Sequence, residues 1–138
     1  VTRFVVDSAT LLAIAAGEID VATEHQLLAP TLARSQALAE LYAAARRAEI
    51  TDADGRAQAR RINTLRIRYL GDRALQQQAW KVAAQLGWES TYDAEYVALT
   101  QLQADALVTG DAELALAVAG LVTVASIDAL RTASPPAR

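Results

Sequence analysis

The chain has 138 residues, 53% of them hydrophobic, and a net charge of −3, which suits one domain with a core that needs no staples. It has no cysteine, so disulfides, thiolate zinc sites and a cysteine nucleophile are excluded and any metal chemistry is expected to use oxygen ligands. No apolar run approaches the roughly 20 residues of a membrane span, and no basic, apolar leader opens the chain. A cytoplasmic protein with no membrane partner is therefore expected.

In chain order, Arg3 to Val6 is a short apolar run that predicts a buried strand. It breaks at Asp7-Ser8, either of which can cap a helix to about Ala16. A turn at Gly17 and a short polar helix from Ala22 to Gln26 lead to a weak strand, Leu27 to Ala29. Pro30 fits the first turn of a long helix, Thr31 to Ala48. Thr51 caps a helix from Asp52 to Leu65, with Asp52 and Asp54 well placed at its positive end. Arg66 to Leu70 alternates charged and apolar residues, as an edge strand does. Asp72 opens a helix that Gly87 stops after Leu86. A helix follows around Asp93, then a strand at Ala106, a helix from Asp111 to Ala119, a strand from Val122 to Ala125 and a short helix from Ile127 to Leu130. Residues 132–138, with Pro135 and Pro136, read as a disordered tail behind a domain of residues 1–131.

Strands alternating with helices predict an α/β fold, a three-layer α/β/α sandwich with a mostly parallel sheet of about five strands. Two of those strands end in an acid: Phe4-Val5-Val6-Asp7 and Ala106-Leu107-Val108-Thr109-Gly110-Asp111. Ligands of open parallel sheets bind beyond the strands' carboxyl ends, so Asp7 and Asp111 mark a candidate site, with Asp93 as a third acid. Hard divalent cations take such carboxylates. Each aspartate also fits a plain helix N-cap, and Glu95 and Glu113 read as solvated helix residues.

Four stretches, taken together, resemble the PIN-domain nucleases and, among them, the VapC-type toxins of bacterial toxin–antitoxin pairs. They are Val5-Val6-Asp7-Ser8-Ala9, Ala29-Pro30-Thr31-Leu32-Ala33-Arg34-Ser35-Gln36, Tyr92-Asp93-Ala94-Glu95-Tyr96-Val97-Ala98-Leu99, and Val108-Thr109-Gly110-Asp111. The resemblance implies a metal-dependent endoribonuclease with Mg²⁺ or Mn²⁺ as cofactor, an RNA substrate, a cognate antitoxin protein as partner, and a homodimer. It implies Asp7, Asp93 and Asp111 as catalytic metal ligands, with Ser8 and Thr109 in support. One position departs from the family pattern. Gln36 stands where a glutamate is usual, and an amide holds a divalent cation more weakly than a carboxylate. Glu40, one helical turn along the same face, is the expected substitute ligand, with Gln36 as a water-mediated contact. The alternative is a weak or inactive PIN-like domain that binds RNA or protein.

Other strand-end chemistries lack their partners. A haloacid-dehalogenase-type phosphatase needs an aspartate where Ala9 stands, a receiver domain needs a lysine near the last strand, and a phosphate-binding loop needs glycines followed by lysine. Lys81, the one lysine, lies in neither place. Arg34, near the candidate site, is the expected RNA contact, whereas Arg46, Arg47, Arg56, Arg60 and Arg61 read as a salt-bridged solvent face with Glu49, Asp52 and Asp54. Trp80 and Trp88 are expected in the core or an interface.

Overall fold

The computed structural model describes residues 1–131, so the expected disordered tail lies outside the described residues. Five strands form one sheet: β1 (Arg3–Val6), β2 (Gln26–Pro30), β3 (Ile67–Leu70), β4 (Ala106–Val108) and β5 (Val124–Ala125). All pairings are parallel, in the order β3-β2-β1-β4-β5. The crossovers carry α1 (Ser8–Ala15), α2 (Leu32–Arg46), α3 (Asp52–Thr64), α4 (Arg73–Leu86), α5 (Tyr92–Gln103) and α6 (Ala112–Val118), and a 3₁₀ turn at Ile127–Leu130 follows.

The order explains the layers. The chain steps outward from β1 through β2 to β3, then returns past β1 to β4 and β5. Right-handed crossovers in opposite directions put their helices on opposite faces, which gives the three-layer sandwich. α1, α2 and α3 pack together on one side, while α5 lies against β1, β2 and β4 with α4 beside it. The central strands are buried on both faces, hence the unbroken apolar runs Phe4-Val5-Val6 and Ala106-Leu107-Val108. A smaller cluster of Ala15, Ala37, Leu41 and Ile62 seals α1, α2 and α3 together. Gly55 lets α3 come close to α2, since a methyl group there would stand 3.3 Å from the Ile50 side chain. Among the described residues no helix is long and apolar enough to cross a membrane.

Several local expectations are corrected. Residues 22–25 form a turn, not a helix, because the Ala22 N–H donates to the carbonyl of Leu130 and that of His25 closes back on Ala22, and Gln26 already belongs to β2. Pro30 ends β2 and does not begin α2; the next N–H, of Thr31, extends the ladder by donating to Leu70 at 3.0 Å. α2 stops at Arg46, where Ala48 turns the chain with φ of 58°, and the last strand keeps only Val124–Ala125. Trp80 is 72% exposed, one position off the buried stripe of Leu75, Ala79, Val82 and Ala83, so it is not a core residue. Trp88 packs partly buried against the main core.

Candidate active site at the switch point

β1 and β4 are neighbours in space, and the chain leaves them toward opposite edges of the sheet. This is the switch point at which open α/β sheets bind ligands. Val6 is in register with Val108, so the residues just beyond, Asp7 after β1 and Thr109 to Asp111 after β4, emerge side by side.

Both strand-end aspartates are helix caps. The Asp7 Oδ1 accepts the Thr10 N–H at 2.9 Å and the buried Thr10 hydroxyl at 2.6 Å. The Asp111 Oδ1 accepts the Leu114 N–H at 3.1 Å, and the Thr109 hydroxyl oxygen accepts the Asp111 N–H at 3.1 Å. Each cap uses Oδ1 and leaves Oδ2 without a hydrogen bond among the described residues. Thr109 thus shapes the loop that presents Asp111, and Ser8 opens α1 directly behind Asp7.

Asp93 is different. The N-cap position of α5 belongs to Thr91, and Asp93 sits inside the first turn with no capping bond. It stands at the exposed rim of the site. Desolvation first, then the carboxylates of Asp111 and Asp7, hold its carboxyl above the usual range. Asp93 of α5 is therefore within electrostatic reach of both strand-end acids. Among the described residues, however, no three side chains of aspartate, glutamate or histidine stand close enough together, as positioned, to hold a cation. The donors suit a hard divalent ion in kind, charge and free oxygens, but their side chains must swing inward to grip one.

Gln36 and Glu40 part company. The Tyr96 hydroxyl donates to Gln36 Oε1 at 2.5 Å, tying α5 to α2. Burial first, then the carboxylates of Asp7, Asp93, Glu95 and Glu40, push the Tyr96 hydroxyl well above the usual phenol range, so it remains a neutral donor. Glu40 is within electrostatic reach of that hydroxyl, but it does not figure among the charges that perturb Asp93. It is exposed one turn beyond Gln36, on a hollow that it shares with Ala9 and Leu12 of α1.

Beside the acids, Gln36 and Asp93 line an open hollow of about 560 Å³ with Trp88, Glu89, Ser90 and Tyr92. Tyr92 is 59% exposed there. Arg34 lies with its guanidinium 4.6 Å from the centre of the Tyr69 ring, a cation–π contact at the outer side of the sheet. Arg47–Glu49 and Arg56–Asp52 pair on the solvent face, both at 2.7 Å.

No family model matches the chain, and neither does any curated protein. Among solved structures, PAE2754 from Pyrobaculum aerophilum superposes with a TM-score of 0.70 at 23% identity, over 94% of this chain and 93% of its own. VapBC2 from Rickettsia felis, solved bound to a DNA fragment from their promoter, superposes with a TM-score of 0.64 at 6% identity, over 90% of this chain and 98% of that one. The chain thus shares with these two structures a three-layer α/β/α, PIN-like fold.

Proposed function

We propose that this PIN-fold chain is a Mg²⁺- or Mn²⁺-dependent endoribonuclease that acts in the cytoplasm as the toxin of a toxin–antitoxin pair. The observation that carries the reading is that Asp7 and Asp111 emerge side by side beyond β1 and β4, with Asp93 of α5 within electrostatic reach of both. A bound cation supplies a more acidic water and a polarised phosphate. Asp7 and Asp111 each offer it the oxygen not used in capping, and Asp93 offers its whole carboxylate. Glu40 serves as an outer ligand or orients water, and Ser8 and Thr109 steady the loops that carry the acids. Tyr92 and Trp88 flank the hollow, where a base next to the scissile phosphate would stack. Arg34 contacts the RNA backbone further out. An antitoxin would neutralise the same acids, and a second copy of the chain completes the assembly.

The test is cleavage of mixed RNA by antitoxin-free protein in Mg²⁺, Mn²⁺ or EDTA, with Asp93→Asn and Glu40→Ala variants alongside. Metal-dependent cleavage lost in both variants supports the full assignment. Cleavage that survives Glu40→Ala but not Asp93→Asn removes Glu40 from the ligand set. Folded wild-type protein that cleaves nothing favours the second reading, an inactive binding module, to which the tethering of Gln36 by Tyr96 already gives a physical basis.

A further inference from the structure

A hollow of about 700 Å³ lies at the opposite end of the sheet from the acids. Its wall is made where β1, β2 and β3 begin, and Arg3, Arg66 and Arg68 line it. Arg3 and Asp7 are four residues apart on one extended strand, so the two ends are separated by about 13 Å of β1.

The charges there are unbalanced. Glu24 is the one acid on the wall. The Arg3 Nε donates to the Gln26 side-chain oxygen at 3.3 Å, which orients that guanidinium without neutralising it. Arg66 and Arg68 make no side-chain hydrogen bond or ion pair among the described residues, whereas Arg47, Arg56 and Arg131 each have a carboxylate partner. Arg68 is in register with Leu28 and Arg3 with Gln26, so Arg3, Leu28 and Arg68 share one face of the sheet. Arg66 lies just before β3, where the Ile67 N–H closes back on the Leu65 carbonyl, and lines the same hollow. Leu28 borders the hollow on the side of Arg3 and Arg68, and Leu27 and Ile67, in register with each other, border it from the opposite face of the strands. Guanidinium groups with no carboxylate partner among the described residues, lining a hollow of ligand size with apolar edges, are the chemistry that recognises a phosphate carried on a larger body.

We propose that this hollow is a second binding site, for a phosphate-bearing ligand, separate from the acidic site. The phosphate comes either from a free nucleotide or from a polynucleotide backbone, and Arg66 and Arg68 are its principal contacts. This site does not depend on the nuclease reading.

The experiment measures binding in EDTA, where no cation-dependent cleavage interferes. ADP is titrated by calorimetry, and a short fluorescein-labelled single-stranded RNA by anisotropy. The proteins are wild type, Arg66→Ala/Arg68→Ala, Arg66→Lys/Arg68→Lys, and Arg60→Ala as a control outside the hollow. The expected result is salt-sensitive binding of at least one probe, weakened about tenfold or more in the double alanine variant, partly retained with lysines, and unchanged in Arg60→Ala. Binding of ADP identifies a free nucleotide as the source, and binding of RNA alone identifies a backbone. The proposal is overturned if folded wild type binds neither probe, or if the double alanine variant binds as wild type does. Aggregation of that variant with unchanged binding would show that the two arginines merely guard the open edge of β3.

Discussion

The Tyr96 hydroxyl meets the Gln36 side-chain oxygen at 2.5 Å, across 60 positions of sequence, and this bond ties the Gln36 amide of α2 to α5. Gln36 is a bridge between α2 and α5 as much as a neighbour of the acids. Tyr96→Phe removes the donor and leaves the half-buried amide to find water, so stability should fall by about 1 kcal/mol in urea unfolding. Gln36→Glu keeps an acceptor for Tyr96 and adds a negative charge. Its melting temperature in EDTA should drop below that of wild type, and its rise on adding Mg²⁺ should exceed the wild-type rise. An equal rise in both proteins would mean that the position does not face the cation.

Acid should help the metal-free protein over part of its range. The Asp93 carboxyl is raised in the fold, so between the ordinary carboxylate pKa and the raised value the native state binds more protons than the unfolded chain. Stability therefore falls as pH rises through that window and recovers as pH is lowered into it. Glu95, raised by burial, acts in the same direction. Melting curves in EDTA across mildly acidic to neutral pH should show the trend, and Asp93→Asn should flatten it and melt higher than wild type at neutral pH. A steeper slope in Asp93→Asn would contradict this origin.

Asparagine and alanine should behave differently at the two capping acids. Asp7→Ala forfeits a cap and orphans the buried Thr10 hydroxyl, costing about 2 kcal/mol or more. Asp111→Ala loses only its cap, about 1 kcal/mol. The asparagine variants keep an accepting oxygen and should lie close to wild type in denaturant midpoint while still losing cleavage.

Ala48 carries φ of 58°, the only non-glycine residue described with positive φ. A left-handed alanine costs about 1–2 kcal/mol. Ala48→Gly should thus raise stability, by about 1 kcal/mol after glycine's own entropy cost, with a higher melting temperature and unchanged catalysis.

The strand-end acids were legible because a short apolar run, an aspartate and a helical pattern in succession encode strand, cap and helix locally. The same holds for the edge strand, whose alternating arginines declare one wet side. What could not be read depends on distant partners. The turn at residues 22–25 is set by the carbonyl of Leu130, and the placement of Pro30 by a strand forty residues on. Tyr96 is 3% exposed, yet its hydroxyl reaches the Gln36 amide; that bond follows from where α2 lies, which no local pattern states.

The double duty of Asp7 and Asp111 has a bearing on descent. Because each begins a helix as well as facing the switch point, a lineage with no chemistry at that point would still be selected to retain both, simply to stay folded. Their persistence in a relative would say little about whether that relative is an enzyme. Asp93 caps nothing and carries an electrostatic penalty, so it is the acid that drift would discard first, and the one whose retention speaks for chemistry.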